Sequence, residues 1–516
     1  MKIGQPFLGV KSYAIVQTVN MKVRLQDFVS LIVSYQMLLG AVLPAQSSLI
    51  GAGPGQEESE EIRELRVRVK DGDSEAAFEL GRRLADGDQV SRNFPEAELL
   101  LKKALESGNE AAAERLGKLL LETSQGGADV DRAAKGLRFL RDCSATQDSC
   151  ALTLGQFYAS GIFVPADFDK AEALFLEAVK LGNPDGKFRL GEIYSGEAGF
   201  ENRADVEKAV KLLEEGFQEG SFEAGRFLVK LLREGKKVPR DEKRAFAVAR
   251  EAAERGDAAA MLFLGDLYED GSGVDADSAK ARESYLAAAE AGNATAQTKM
   301  GVLLLEDGGE GGGDAGQAQE WFEKAADQGF AFAHLNLALL HTRNSSSDHA
   351  SLDPVTAGKA VDHLVVAATA GLAEAQNLLG SWYRDGSYVR RDLVAAAAWL
   401  RPAAVSGNLS AKVNLAQVLE VSAVDQESLR MAFALYAESA DAGHPLGHFN
   451  YARLLLSGSV APVDPALACA HLQAAVDAGL KPAERPLEEL KNNLADEQQK
   501  RARDIRERLR IIPAEE

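Results

Sequence analysis

The chain contains few of the residues on which metal sites and large aromatic cores depend. Its 516 residues include three cysteines and three tryptophans, and aromatic residues make up 7% of the sequence. No pair of Cys-x-x-Cys motifs occurs, so this type of zinc site is excluded. Alanine supplies much of the 46% apolar content, which favours thin, closely packed helices over a β-rich core.

Catalytic signatures are also missing. The sequence has no His-Glu-x-x-His motif, no Gly-x-Ser-x-Gly motif and no glycine loop followed by Lys-Ser/Thr. Ser-x-x-Lys, the nucleophile pattern of β-lactam-recognising enzymes, is absent as well. We therefore expect a protein that is not an enzyme, with no catalytic residues, no cofactor and no metal ion.

The chain also lacks an excess of positive charge. The formal net charge is −20 at pH 7, whereas binding to phosphate backbones requires clustered lysine and arginine. The composition argues against nucleic acid as a partner. Any polyanionic partner would need a local basic patch.

The N-terminal residues resemble an export signal. Lys22 and Arg24 precede an apolar run at 28–44, and small residues of an Ala-x-Ser pattern follow at 45–47. We expect residues 1–47 to be an N-terminal extension with a signal peptide, and the protein to be periplasmic or secreted.

Two alternatives remain open for this region. The apolar run could stay uncleaved as a membrane anchor, although it is short for a bilayer span. Translation could begin at Met21 instead of Met1. Residues 48–60 are glycine-rich and polar, which is typical of a flexible linker.

One stretch, 257–292, shows a pattern that the rest of the chain repeats. Its first predicted helix carries Leu264, Leu267 and Tyr268 on one stripe. A glycine-containing turn leads to a second, alanine-rich helix, which ends before Gly292. Neither helix could bury its apolar face alone, so the pair needs neighbours.

The neighbours are present as repeats of the same pattern. Eleven units follow one another, mostly at intervals of 36 to 38 residues, and Thr146 replaces glycine at one boundary. A large residue lies eight positions after each boundary and a small residue usually follows it. The boundary glycines are Gly72, Gly108, Gly182, Gly220, Gly256, Gly292, Gly329, Gly371, Gly407, Gly443 and Gly479.

These residues resemble the Sel-one-like repeat family, which is related to tetratricopeptide repeats. The resemblance covers about four fifths of the chain, and eleven copies in phase make it specific. It implies an all-α fold, a right-handed α/α superhelical solenoid that binds other proteins. In unit 257–292 the matching residues are Leu264, Gly265, Tyr268, Gly271, Gly273, Val274, Ala281 and Gly292.

The predicted solenoid covers residues 61–479, and residues 480–516 form a C-terminal capping helix and tail. Leu487, Leu490 and Leu494 recur at helical spacing there, and the opposite face is charged. A stacked array needs a polar-backed helix to cover its last apolar face.

Cys143 and Cys150 flank the degenerate boundary at Thr146. At five other junctions both equivalent positions are alanine, so the two side chains should lie close enough for a disulfide. The pair resembles a junction of the cysteine-rich bacterial branch of the family. Two reduced, packed cysteines are the alternative. Cys469 is expected to be buried and free.

His444 and His448 are four residues apart at the start of a predicted helix, which places them on one face. A metal pair would need further ligands that the sequence around them lacks. Capping and packing are the favoured roles.

In tetratricopeptide-like arrays the first helices line the concave side, where we expect proteins or peptides to bind. Arg226, Lys230 and Arg233 form a basic stripe at helical spacing on one such helix, and Arg384 and Arg453 occupy equivalent positions elsewhere. An acidic peptide or anionic polymer could bind there. A solvated charged face is the simpler explanation.

Taken together, the sequence predicts a monomeric, exported, non-catalytic scaffold for protein–protein contacts, for example in envelope complex assembly or signalling. A cell-wall-active or β-lactam-interacting hydrolase of the cysteine-rich branch is the alternative.

Overall fold

The computed structural model describes residues 59–512 except 89, 125–128, 197–198, 307–313, 343–352 and 424. Twenty-five α-helices and no strands occur in this part of the chain. The prediction of an all-α helical-repeat fold is confirmed. The predicted signal segment and nearly all of the predicted linker lie outside the described residues.

The described chain divides into two compact units, residues 59–284 and 285–512, with the division inside a helix. The helices of the first unit are α1 (Glu60–Lys70), α2 (Ser74–Asp86), α3 (Phe94–Glu106), α4 (Ala111–Glu122), α5 (Val130–Cys143), α6 (Asp148–Ser160), α7 (Phe168–Lys180), α8 (Asp185–Tyr194), α9 (Val206–Glu219), α10 (Phe222–Glu234), α11 (Glu242–Glu254), α12 (Ala258–Asp270) and α13 (Ser278–Glu290), which crosses the division.

The helices of the second unit are α14 (Ala294–Glu306), α15 (Ala315–Asp327), α16 (Ala331–Thr342), α17 (Pro354–Thr369), α18 (Ala373–Asp385), α19 (Leu393–Val405), α20 (Leu409–Val421), α21 (Gln426–Asp441), α22 (Pro445–Ser457), α23 (Pro465–Asp477), α24 (Glu484–Asn493) and α25 (Asp496–Arg506). Helices α2 to α23 form eleven consecutive pairs, which matches the number of predicted repeats.

Local capping explains where the helices begin and end. In most repeats the second helix starts after an aspartate or asparagine whose side chain accepts a backbone N–H, as Asp167 does from Lys170 at 3.1 Å. Several first helices end at a glycine in the left-handed region, such as Gly271 with φ 69°. A backbone hydrogen bond from Asp277 N to Tyr268 O, at 2.9 Å, closes the turn between them.

The two helices of a repeat pack through the predicted small residue. A Cβ atom added to Gly155 would lie 2.5 Å from the Phe175 ring, and one added to Gly301 would lie 2.5 Å from the Phe322 ring. Both rings are almost fully buried. Glycine at this position therefore creates the space that the large side chain of the second helix fills.

The C-terminal segment differs in detail from the predicted single helix. It forms two helices, α24 and α25, because the chain becomes extended at Leu494 (φ −88°, ψ 137°). Leu487 and Leu494, before and at the break, and Ala502 after it are all buried in the core that α23 also joins.

Within the described residues, none of the helices is long and apolar enough to cross a bilayer.

Candidate functional site

In the first unit, aromatic and basic side chains lie together on three neighbouring first helices. Phe188 and Phe227 meet edge to face, with ring centroids 5.8 Å apart and the planes at 66°. Phe227 and Phe263 are only half-buried. We call this surface the aromatic–basic face and define it as Phe188 and Arg189 of α8, Phe227, Lys230 and Arg233 of α10, and Phe263 of α12.

Each ring of the aromatic–basic face carries a cation. The Arg189 guanidinium lies 4.6 Å from the Phe188 centroid and the Lys230 ammonium lies 5.2 Å from the Phe227 centroid. Arg233 lies 4.9 Å from the Phe263 centroid. Such contacts are attractive because the ring face is electron-rich, and they hold long, flexible side chains in defined positions.

Two cations of the predicted basic stripe, Arg226 and Arg233, pair with carboxylates of the same chain. Arg226 donates to both carboxylate oxygens of Asp257 at 2.8 Å and also pairs with Glu223. Burial alone would lower the pKa of Arg226, but the two carboxylates outweigh it and the pKa is raised. Arg233 lies 3.9 Å from Asp270.

Arg226 therefore links two repeats, because Asp257 is buried and caps the first helix of the next repeat. Lys230 and Arg233 remain half-buried members of the aromatic–basic face. A partner that binds Lys230 and Arg233 would have to replace the contacts that these side chains make within the chain.

Arg384 and Arg453 lie in the second unit and also have internal partners. Arg384 donates to Asn414 at 2.6 Å, to Gln417 at 2.5 Å and to the adjacent Asp385. Arg453 donates to Glu420 at 2.5 Å. Both arginines join the first helices of consecutive repeats, so they contribute to the contact between repeats.

Cys143 ends α5 and Cys150 lies in the first turn of α6. Their Cα atoms are 5.8 Å apart and their sulfur atoms lie at bonding distance in the structure. The two side chains are therefore adjacent, as the alanine pattern suggested. Cys469 is buried and free, and burial raises the pKa of its thiol.

The two histidines that sequence spacing placed on one helix face have different partners. His444 is the N-cap of α22, and its Nδ1 accepts from Gly447 N at 3.3 Å. His448 is fully buried and its Nδ1 lies 2.8 Å from Nδ1 of His471. No group of three His, Cys, Asp or Glu side chains suited to one metal ion occurs among the described residues.

Sequence reasoning identified the basic stripe but missed the phenylalanines beneath it. Phe188, Phe227 and Phe263 lie six or seven residues after the boundary glycines of three consecutive repeats. Aligning the repeats on those glycines would have shown this recurrence. The ring contacts themselves require coordinates.

Comparison with known proteins identifies the repeats. The sequence model of the Sel1 repeat matches nine segments that together cover more than half of the chain. They are 74–109, 150–183, 184–221, 223–257, 258–293, 294–330, 373–408, 410–444 and 445–480. The pairs α4–α5 and α16–α17 complete the eleven repeats without such a match.

Individual relatives are distant. The Sel1-repeat-containing protein YjcO of Escherichia coli K12 is 28% identical over 141 residues, which is 26% of this chain and 60% of the relative. The chain thus matches less than two thirds of that protein's length.

Two solved structures have the same type of repeat. One is c5321, described as a protective antigen of uropathogenic Escherichia coli with an SLR fold, at TM-score 0.53 and 23% identity over 86% of this chain and 93% of that one. It supports the fold alone. The other is a Sel1 repeat protein from Oxalobacter formigenes, at TM-score 0.43 and 25% identity over 71% of this chain and 98% of that one.

Proposed function

The chain belongs to the Sel1 repeat family, and on this basis we propose that it is an exported, non-catalytic scaffold that binds other proteins through its first helices. Proteins with Sel1 and related repeats are generally interaction scaffolds. Stacked helix pairs present a long surface on which many modest contacts add up.

One observation carries the proposal for a binding surface: each ring of the aromatic–basic face lies against a cation, and two of the rings, Phe227 and Phe263, are only half-buried. Aromatic and arginine side chains are enriched at the centres of protein interfaces. Ring stacking already restricts the cations, so binding costs less conformational entropy than it would for free side chains.

The partner that fits this face is a protein segment with both apolar and acidic side chains. Apolar groups can cover the exposed parts of Phe227 and Phe263. Carboxylates of the partner can take over the contacts that Arg189 makes with Glu192, at 2.9 Å, and Arg233 makes with Asp270. A purely polyanionic partner would leave the rings unused.

The test is a comparison of two double charge reversals in the full-length protein. Lys230→Glu with Arg233→Glu changes the aromatic–basic face and spares the structural Arg226. Lys211→Glu with Arg250→Glu is the matched control, since both residues are exposed on second helices. Quantitative mass spectrometry should show captured proteins lost from the first variant and kept by the control. Equal capture by both variants would count against this surface.

Export is supported by the signal-like residues at 22–47 and by the paired cysteines at 143 and 150, since disulfides persist in oxidising compartments. Sequencing the N-terminus of the mature protein should give a start near Ser48. A protein that retains Met1 would refute cleavage. Assays of β-lactam and peptidoglycan turnover would test the hydrolase alternative, which no observation on the described residues favours.

A further inference from the structure

The end of the described chain covers one junction between repeats. Residues 507–512, which we call the C-terminal strap, lie across the boundary glycine Gly443. Ile512 N donates to Gly443 O at 2.9 Å, and the carbonyl oxygen of Arg510 lies 3.0 Å from Nε2 of His448. A carbonyl oxygen can only accept, so the imidazole is the donor. Both hydrogen bonds use backbone groups of the strap.

This junction is covered, whereas the equivalent surface of the other repeats is open. A Cβ atom added to Gly443, which has φ 97°, would lie 3.2 Å from the Ile511 carbonyl carbon. Gly443 is buried, and the other ten boundary glycines are exposed. At nine of those ten, no described atom lies within 4 Å of the Cβ position. The strap therefore shows what an open junction can accept, which is a segment of extended backbone.

One open junction carries the same polar groups as the covered one. His334 lies five residues after Gly329, as His448 lies five residues after Gly443. No other boundary glycine is followed by a histidine at this position. An aspartate also lies two residues before each of the two glycines. The Gly329 junction is thus the chemical counterpart of the junction that the strap covers.

The two histidines are held in the same way. Nδ1 of His334 lies 2.9 Å from Nδ1 of His363, and Nδ1 of His448 lies 2.8 Å from Nδ1 of His471. In both cases the partner is on the second helix of the same repeat, eight residues before the closing glycine. Because Nδ1 is used within the repeat, Nε2 remains for other contacts. At His448 this nitrogen holds the strap, and the His334 ring, which is half-buried, also contacts the backbone of Ala326.

The charges around the open junction favour a basic segment. Asp327 is exposed and lies near enough to His334 to act on it electrostatically. Glu323 and Asp362, which are also exposed, act on His363 in the same way. The strap has the sequence ERLRII, with two arginines and three aliphatic residues. A segment of similar composition would meet carboxylates of opposite charge at the Gly329 junction.

We propose that the Gly329 junction is a second protein-binding site, which accepts an extended, basic and aliphatic segment of a partner protein. The segment donates a backbone N–H to Gly329 O, and its carbonyl two residues earlier accepts from Nε2 of His334. The contact between His334 and Ala326 is exchanged for this bond. Two backbone hydrogen bonds make a modest contact, which adds to others along the array. The site lies in the second unit and does not depend on the aromatic–basic face.

Photo-crosslinking to the full-length chain tests the site. The probe is a synthetic peptide of residues 505–512 with blocked ends and a benzophenone amino acid in place of the exposed Glu507. Because the chain's own strap covers the Gly443 junction, the probe should label residues 323–334. His334→Ala should lower the yield about tenfold, as expected for a lost hydrogen bond. His334→Gln should keep much of it, since glutamine at this position also donates, as Gln376 does to Ala368 O at 3.0 Å.

A pair of peptides tests the backbone bond without changing the protein. The peptide with Ile512→Pro has no N–H for Gly329 O and should label about tenfold less. Ile505→Pro is the matched control, because it places proline outside the strap, and it should label as the parent peptide does. This comparison remains valid if His334→Ala fails to fold.

Three results would overturn the proposal. They are equal labelling by the two proline peptides, labelling confined to 439–448, which would mean displacement of the chain's own strap, and the absence of saturable labelling at 323–334. Sedimentation velocity of the full chain distinguishes a different occupant. Concentration-dependent assembly that His334→Ala abolishes would assign the junction to the strap of a second copy and would refute a separate partner.

Discussion

The guanidinium of Arg226 donates to both carboxylate oxygens of Asp257, each at 2.8 Å, and thereby joins two consecutive repeats. Asp257 is 7% exposed and also caps α12 through the N–H of Ala259. A residue selected from the sequence as a candidate for partner binding is thus part of the internal structure. Similar links between repeats recur along the chain, for example between Asn183 and Asp148 at 2.5 Å.

Loss of this link should destabilise the first unit. Arg226→Ala leaves the buried carboxylate of Asp257 without its arginine, which typically costs about 1–3 kcal/mol. Arg250→Ala is the control, because Arg250 is exposed and makes only surface contacts, a pair with Glu254 at 3.6 Å and a long contact with the Phe246 ring, whose centroid is 6.0 Å away. Urea unfolding followed by circular dichroism should show a clear downward shift of the midpoint for Arg226→Ala alone. Equal shifts would mean that the pair contributes no more than a surface contact.

Two glycine-to-alanine substitutions should change the stability of the protein in opposite directions. A Cβ atom on Gly136 would lie 2.8 Å from the carbonyl oxygen of Gly117, so Gly136→Ala should cost about 1–3 kcal/mol through steric overlap. Gly358 lies in α17 with nothing within 4 Å of its Cβ position. Gly358→Ala should stabilise the protein by up to about 1 kcal/mol, because alanine favours helix. Thermal unfolding should show a lower midpoint for Gly136→Ala and a higher midpoint for Gly358→Ala than for the wild type. An unchanged midpoint for Gly136→Ala would contradict the close approach of the two helices.

The cysteine pair predicts a thiol count. With Cys143 and Cys150 bonded, the denatured, unreduced protein should show one reactive thiol per chain, from Cys469, and a count of three would contradict the bond. Replacing both residues by serine should lower the free energy of unfolding by about 2 kcal/mol, as loop closure predicts for a short loop. Reductant should shift the unfolding midpoint of the wild type and leave that of the double variant unchanged.

Acid stability of the first unit should depend on Glu79. Hydrogen bonds from Arg82, at 2.8 Å, and Arg83, at 2.6 Å, outweigh the effect of burial and lower the pKa of Glu79 to about 2. Because the folded pKa is depressed, this stabilisation is present above about pH 4.5 and is lost as the pH falls towards 2.

Glu79→Gln should therefore lose stability at pH 7 and show a smaller further loss at pH 3 than the wild type. Glu106→Gln, at an exposed site, serves as the control. Urea midpoints at pH 7 and pH 3 provide the comparison. An unaltered pH dependence in Glu79→Gln would argue that the carboxylate contributes little.

Much of the fold could be predicted because its signals are local. The boundary glycines, such as Gly292 with φ 90°, end the second helices as expected. The small residue after each large one marked the helix contact, as at Gly155. The C-terminal segment was only partly predicted, since its apolar spacing did not reveal the break at Leu494.

The candidate sites were less predictable, because they depend on pairs of residues about one repeat apart. The basic stripe on α10 was visible in the sequence, but the pairing of Arg226 with Asp257 and of Arg233 with Asp270 was not. The pairing of His448 with His471 and with the Arg510 carbonyl joins residues 23 and 62 positions apart. Nothing in the repeat pattern indicates either contact.

The sequence alone determined the repeat period, the helix pairs and their ends, because capping residues and apolar spacing act within a few residues of the chain. Tertiary structure decided which charges are paired, which rings carry cations and which histidines are hydrogen-bonded to each other. These properties depend on the side chains that packing brings together from different helices, and local sequence does not specify those distances.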